Sequence, residues 1–327
     1  MGFGVLTAYR ETITALQRYG GGALIDVRAD SKQPADIVHI HTIKFDALRE
    51  LLFGRDKRKI ISAHVTPSSL VGAFAGSRLW LPLARRYLRF LFNHADTVIA
   101  VSDATREELL KMGVWRPIVV LYDTIDTRLY STTKREKQDL RIELGISEQK
   151  FVVVGNGQIN QRKHFDTFYE IAGKMPEVEF IWIGGISFKA ISENARTLQY
   201  LIDHAPANLR VTGSVPHDTA VDYMRAADAM FFPSRQETFG LAIIEGAAAG
   251  LPVVVRDIHD YDKTFGELVI RGKTLADFEN IIKKLVHDEA FYATWRANSH
   301  KLAAKYDSSI GGKDLIELYR KVWRMTR

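Results

Sequence analysis

Two glutamates eight positions apart, Glu237 and Glu245, are the residues of this chain best suited by type and spacing to hold a polyhydroxylated ligand. Phe231-Phe232-Pro233-Ser234 before them reads as a buried strand entering a turn. Leu241 to Ala249 reads as a helix, ended by Gly250-Leu251-Pro252 ahead of the strand-like Val253–Val255. A helix starting there offers unpaired N–H groups and the positive end of its dipole, which suits a diphosphate. Carboxylates about two turns apart can reach different hydroxyls of one elongated ligand, such as a sugar and a ribose. The spacing alone fits equally well an acidic residue at a helix start followed by a solvated glutamate.

A second constellation is Val152-Val153-Val154-Gly155-Asn156-Gly157-Gln158-Ile159-Asn160-Gln161-Arg162-Lys163. It reads as a strand ending in a glycine loop, with two adjacent cations at the next helix start. Backbone amides and fixed positive charge of this kind can hold a pyrophosphate and stabilise it as it leaves. The spacing is not that of a P-loop. His41 and His64 each follow a strand-like run and are placed at carboxyl strand ends, whereas His39 sits inside its strand as a structural residue.

The elements that must carry these residues alternate. Ile37–Ile40, Lys59–Ser62, Thr97–Val101 and Ile118–Leu121 read as strands in the first half, with helices at Phe45–Phe53 and Leu79–His94. In the second half the strands are Phe151–Val154, Glu179–Ile183, Leu209–Thr212, Met230–Phe232 and Pro252–Val255. The helices there are Asp166–Lys174, Asp218–Ala226 and Leu241–Ala249. Such alternation means α/β folding with parallel sheets covered on both faces. The polar stretch Ser131–Lys150 lacks a strand and reads as the join. Two doubly wound domains are expected, 1–130 and 131–307, facing each other across a cleft, with a C-terminal helix 308–327 packing back onto the first.

Bulk composition narrows the classes. The chain has 327 residues and no cysteine, which removes disulfides, thiolate metal sites and thiol nucleophiles. The net charge is +6, and residues 1–130 carry 18 Lys/Arg against 13 Asp/Glu, or +5 of it. A basic half suits an anionic membrane surface, a nucleic acid or a phosphorylated substrate, or serves solubility alone. No nucleic-acid motif is present. No apolar run reaches the roughly 20 residues of a spanning helix, and the start is too short for a signal peptide. A cytoplasmic protein is expected, soluble or peripheral on the inner membrane face. Within 76–94, Leu79, Trp80, Leu83, Tyr87 and Leu91 accompany Arg78, Arg85, Arg86 and Arg89 on one helix, a pattern that fits reversible docking to anionic lipid or simple coverage of a sheet.

Together the motifs resemble the family 4 retaining glycosyltransferases of the GT-B fold. The family pattern P-S-x-x-E-x-F-G-x-x-x-x-E-x-x-A-x-G-x-P-V runs from Pro233 to Val253. Asp36-Ile37-Val38-His39-Ile40-His41 and Ser62-Ala63-His64 resemble first-domain segments of the family. Arg162-Lys163-His164-Phe165-Asp166-Thr167-Phe168, Phe180-Ile181-Trp182-Ile183-Gly184 and Val255–Tyr261 are similar to the bacterial diacylglycerol glycosyltransferases.

The resemblance implies transfer of a hexose from a UDP-sugar, with retention, to an acceptor hydroxyl of a glycolipid or diacylglycerol. His64, Glu237 and Lys163 would be the catalytic residues. Gly4, Gly157, Arg162, Val215, Thr238, Phe239, Gly240, Leu241 and Glu245 would bind the donor, and His41 would belong to the acceptor side with the arginines. No cofactor or metal is expected, although Asp260-Tyr261-Asp262 has the D-x-D form. A soluble or polysaccharide acceptor, another enzyme on the fold, or an inactive sugar-nucleotide binder are the competing readings.

Two departures stand out. The arginine that the family carries after the donor-loop glycine is replaced in the region of Asn156 and Gln158. Met1-Gly2-Phe3-Gly4 already resembles the glycine loop that follows the family's first strand, so that strand is expected to be missing, with self-association through the uncovered first domain.

Overall fold

Short apolar runs and amphipathic segments alternate along the chain, and they fold into two parallel sheets, each in its own compact unit. The computed structural model describes residues 3–19, 26–27, 35–54, 58–71, 76–186 and 194–324; the side chains of Phe3, Ser77 and Arg78 lie outside that description. One unit takes in Met1–Val71, Ser77–Asp126 and Tyr306–Arg327, the other Gly72–Gly76 and Thr127–Lys305.

The first unit begins with helix α1 (Phe3–Tyr19), then β1 (Ile37–Ile40), α2 (Phe45–Phe53), β2 (Arg58–Ala63) and a short α3 (Pro67–Leu70). It continues through α4 (Ser77–Phe92), β3 (Thr97–Ala100), α5 (Asp103–Met112) and β4 (Ile118–Val120). The sheet order is β1-β2-β3-β4, all parallel. Its strands are buried on both faces, which is why they read as continuous apolar runs. Ala47 and Leu51 of α2, Leu88, Leu91 and Phe92 of α4, and Leu109 of α5 close one face.

The second unit runs α6 (Lys134–Glu143), β5 (Val152–Asn156), α7 (Phe165–Lys174), β6 (Glu179–Ile183), α8 (Ala195–Asp203), β7 (Leu209–Val211) and α9 (His217–Ala226). It then runs β8 (Ala229–Phe232), α10 (Leu241–Ala248), β9 (Val253–Arg256), β10 (Ile270–Gly272), α11 (Leu275–His287) and α12 (Glu289–Lys305). Helix α13 (Ser308–Arg324) returns to the first unit, where Leu315, Ile316, Leu318 and Val322 join Leu16 of α1 over Ile60 and Ile99. Gly312 permits that approach, since a Cβ there would meet Tyr19 and Ala15.

The second sheet has the order β10-β9-β8-β5-β6-β7, all parallel. From β5 the chain builds outward through β6 and β7, then returns to add β8, β9 and β10 on the other side. The order therefore reverses between β5 and β8, and ligands of open α/β sheets bind at such a reversal, beyond the carboxyl ends of the strands. The two motif-bearing loops, 157–163 and 233–240, follow β5 and β8.

Two expectations need correction. Gly4 is not in a glycine loop; it is exposed in the first turn of α1, and Met1 and Gly2 lie outside the described residues. The helix forms because Ala8, Ala15 and Leu16 recur on one buried face. The stretch Ser131–Lys150 is not a bare join, because it contains α6. Thr133 and Glu136 form a capping box at its start, and Arg141 is buried there, bonded to Ala226 O and Asp228. The units part between Asp126 and Thr127.

Candidate active site

At the reversal point of the second sheet, Lys163 and Glu237 meet. Lys163 Nζ donates to Glu237 Oε1 at 2.6 Å, and Ser234 Oγ donates to the same oxygen at 2.6 Å. Arg162 Nη1 lies 3.1 Å from that oxygen and donates to Gln236 O at 2.6 Å. Asp260 accepts from the Glu237 N–H at 3.0 Å. Two loops are thus stapled together: Arg162 O accepts from Arg235 N as well.

Each position follows from local folding. Asn160 caps the 3-10 turn Gln161–Lys163 by accepting from Lys163 N, which turns Lys163 back toward β8. Its ammonium stands 4.4 Å from the Phe232 ring centroid. Gly157 takes φ 141°, and Trp182 Nε1 donates to its carbonyl at 2.9 Å. Gly184, φ 134°, must also be glycine, since a Cβ there would overlap the Gly157 carbonyl.

Glu237 is only 6% exposed. Burial alone would push its carboxyl up; the charges of Lys163 and Arg162, with hydrogen bonds from Lys163 and Ser234, outweigh it and hold the group at about 2. Lys163 is lowered to about 8, first by burial, with Glu237 opposing and Arg162 adding to the effect. The pair stays ionised at neutral pH. Around it, Arg162 Nε and Tyr261 Oη are buried without a hydrogen-bond partner. Buried polar atoms are rarely left so, and a ligand's oxygens are one way to satisfy them.

Glu245 sits on α10 and is buried, and Asn156 Nδ2 donates to its Oε2 at 2.9 Å. Asn156 therefore bridges from the end of β5 to the second glutamate. Gly240 opens α10 in the left-handed region, φ 100°; its carbonyl accepts from Ile243 N at 2.9 Å, and the N–H groups of Leu241 and Ala242 come before the first intrahelical acceptor. Phe239 is buried beside Phe265, and Thr238 is half-buried. Val215, half-buried, lies beyond the end of β7 on the way to α9. The D-x-D carboxylates have separate partners: Asp260 takes the Glu237 N–H, and Asp262 pairs with Arg271 at 2.6 Å.

In the first unit three imidazoles gather at the ends of β1 and β2. The Ile40–Ile61 register sets the two strands side by side. His41 Nδ1 is 3.0 Å from His64 Nε2, and His64 Nδ1 is 3.4 Å from Asp123 Oδ2. His39 lies between Ser62 Oγ at 2.8 Å and Tyr319 Oη at 2.7 Å. Burial, with the neighbouring imidazoles, lowers His39 to about 3 and His41 well below its ordinary value. With His64 donating from Nδ1 to Asp123, its Nε2 accepts from His41, and His41 Nε2 is left as the acceptor of the chain.

Helix α4 carries Arg85, Arg86 and Arg89 exposed, beside exposed Leu79, Leu83 and Phe90. The side chain of Arg78 lies outside the described residues. Sequence reasoning did not single out Ser234, Asp260, Tyr261 or Asp123 as parts of these clusters. Ser234 was visible inside the Pro233–Val253 pattern; the others are joined by tertiary folding alone.

Comparison with known proteins agrees with this arrangement. The family model described as Glycosyl transferases group 1 matches residues 136–302, and Glycosyltransferase Family 4 matches residues 23–129. The alpha-galactosylglucosyldiacylglycerol synthase of Streptococcus pneumoniae is 30% identical over 263 residues, 80% of this chain and 70% of that protein. The processive diacylglycerol alpha-glucosyltransferase of Acholeplasma laidlawii is 28% identical over 327 residues, 99% of this chain and 95% of that protein. Among solved structures, Anabaena HepE in complex with UDP-glucose aligns with a TM-score of 0.74 at 21% identity, over 88% of this chain and 79% of that one. The chain belongs to the group 1, family 4 glycosyltransferases and has their GT-B fold.

Proposed function

We propose that this glycosyltransferase moves a hexose from a UDP-sugar, with retention, to a hydroxyl of a diacylglycerol or glycolipid at an anionic membrane surface on the cytoplasmic side. The observation that carries the donor half is the buried Lys163–Glu237–Arg162 cluster at the sheet reversal, with unsatisfied polar atoms around it. In this reading Glu237 holds sugar hydroxyls and Glu245 the ribose diol. Lys163, Arg162, Gly157 and the amides of Phe239, Gly240 and Leu241 stabilise the departing diphosphate. Thr238 and Val215 line the nucleotide, and His64 contacts the sugar and the incoming hydroxyl. Gly4 keeps a place in the reading only through the helix that it opens. No metal or cofactor takes part, and the chain self-associates through its first unit.

The lipid half is supported by the two relatives above, one named as a glycosyldiacylglycerol synthase and the other as a diacylglycerol glucosyltransferase, and by α4. Exposed Leu79, Leu83 and Phe90 can enter the interface while Arg85, Arg86 and Arg89 reach headgroups. Each basic residue near such a surface contributes about 1 kcal/mol. Among the described residues no helix is long and apolar enough to cross a membrane.

The test is a donor screen with UDP-glucose and UDP-galactose against diacylglycerol, glucosyldiacylglycerol and soluble sugars, read by mass spectrometry. A hexosylated lipid with equimolar UDP release is expected. Transfer to soluble sugars alone would overturn the lipid reading, and no UDP release with any acceptor would overturn the enzyme's donor assignment. In flotation assays the chain should bind anionic vesicles, less so in high salt. Replacing Arg78, Arg85, Arg86 and Arg89 by glutamine should nearly abolish binding.

A further inference from the structure

A cavity of about 690 Å³ opens in the second unit at the edge away from the donor loops. Asp228 and Leu251 line it, and they stand just before the first residues of β8 and β9, so it lies at the amino ends of the strands. Six lysines and arginines line it against two carboxylates, Asp228 and Glu148. Asp228 is already taken, by Lys137 at 2.7 Å and Arg141 at 2.6 Å. Arg225 pairs with Asp222 and Glu136 outside the lining, yet its Nε is buried without a hydrogen-bond partner. Lys134, Arg296 and His300 form no salt bridge among the described residues.

Positive charge is thus in excess around the cavity: Lys134, Arg296 and His300 stand exposed at its mouth, with the more buried Lys137, Arg141 and Arg225 beside them. Lys137 is held below its ordinary value by burial first and, despite Asp228, by the nearby charges of Arg141 and Arg296. His300 and Arg296 press against the end of α10, within 4 Å of the Cβ that Gly250 lacks. The hydroxyls of Ser131 and Thr132 and the Glu148 carboxylate add acceptors to the lining. A phosphate alone would leave most of this volume to water, since cavities of several hundred Å³ suit larger ligands. A molecule with one phosphate and several hydroxyls matches both halves of the lining.

We propose that this cavity binds a small phosphorylated polyol, such as a sugar phosphate, at a site separate from the donor loops. The full-length chain, saturated with UDP to fill the donor site, is titrated calorimetrically with glucose 6-phosphate, glycerol 3-phosphate, inorganic phosphate and phosphatidylglycerol vesicles. One site for a soluble sugar or polyol phosphate is expected, at least tenfold tighter than for inorganic phosphate. Arg296→Gln and Lys134→Gln should each weaken it about tenfold, the loss of one charge-assisted hydrogen bond, while UDP affinity stays as in the unmodified chain. No binding under UDP saturation, or binding unchanged in both variants, overturns the proposal. Equal affinity for inorganic phosphate overturns the polyol part, and variant-sensitive binding of vesicles alone overturns the soluble ligand. Failure of UDP itself to bind would instead speak against the donor reading.

Discussion

The two polar clusters at strand ends use opposite electrostatics. The Lys163–Glu237–Arg162 group is buried and charged, each ion held by its neighbours. The His39–His41–His64 group is a set of imidazoles of which His39 and His41 are kept neutral. A charged cluster suits a ligand that itself brings two negative charges and leaves with more. A neutral one suits a hydroxyl that must be oriented without being ionised early. The difference also divides the acid response of the molecule into two windows.

The largest effect should come from breaking the charged cluster. Lys163→Ala leaves the Glu237 carboxylate with Arg162 and the Ser234 hydroxyl, and destabilisation of about 3–5 kcal/mol is expected by urea unfolding. The double variant Lys163→Met with Glu237→Leu should recover much of that loss, because it removes the uncompensated carboxylate along with the lysine and leaves Arg162 bonded to Gln236 O. Equal destabilisation in single and double variants would mean that the two ions do not support each other.

Kinetics should separate the glutamates next. Glu237→Ala is expected to lower kcat and Glu245→Ala to raise KM for the UDP-sugar, each by about 1.5–3 kcal/mol of binding free energy. If both keep wild-type rates, the donor site is elsewhere.

The pH windows sharpen the comparison at smaller magnitude. His39 and His41 have folded values below their unfolded values, so the unfolded chain binds more protons as pH falls below about 6.5. Stability is then lost from about pH 6.5 downward, by roughly 1 kcal/mol per histidine at pH 5.5. Glu237 is depressed too, so its contribution is full above about 4.5 and lost only toward about 2. His39→Asn should flatten the upper window and leave the lower one; an unchanged profile between pH 7 and 5 would refute the neutral cluster. The neutral form of His39 is favoured by burial first and by the neighbouring His64 second.

The smallest effect concerns self-association. Phe45 and Phe53 of α2 are 75% and 78% exposed in the first unit. Phe45→Ser with Phe53→Ser should shift light scattering toward monomer by less than an order of magnitude in dissociation constant; a monomer already in the unmodified chain would end this reading.

Most strands and both glutamates were legible, because a buried parallel strand is a local apolar run and the 237–245 spacing lies within one loop and helix. Phe45–Phe53 and Glu179–Ile183 appear in the structure with the bounds read from sequence. Helix α1 was masked by Gly2 and Gly4, whose spacing imitates a loop while the apolar face that folds it begins only at Ala8. Helix α6 was masked by its charges, since its core contact is Arg141 bonding carbonyls and Asp228. Strand β10 is three residues long at a sheet edge, too short for a periodicity to declare itself. The His41–His64 contact depends on the β1–β2 register, which no local pattern encodes.

Gly246 has no side chain, and a methyl there would run into the Met230 sulfur and its stem. Helix α10 consequently rests on β8 at the thickness of a bare backbone, and Glu245 is the residue just before that contact. The reach of the second glutamate toward Asn156 is gauged by the width of one hydrogen atom. Substitution at this position would act as a shim, lifting the Glu245 carboxylate away from Asn156 without replacing any charged residue of the site.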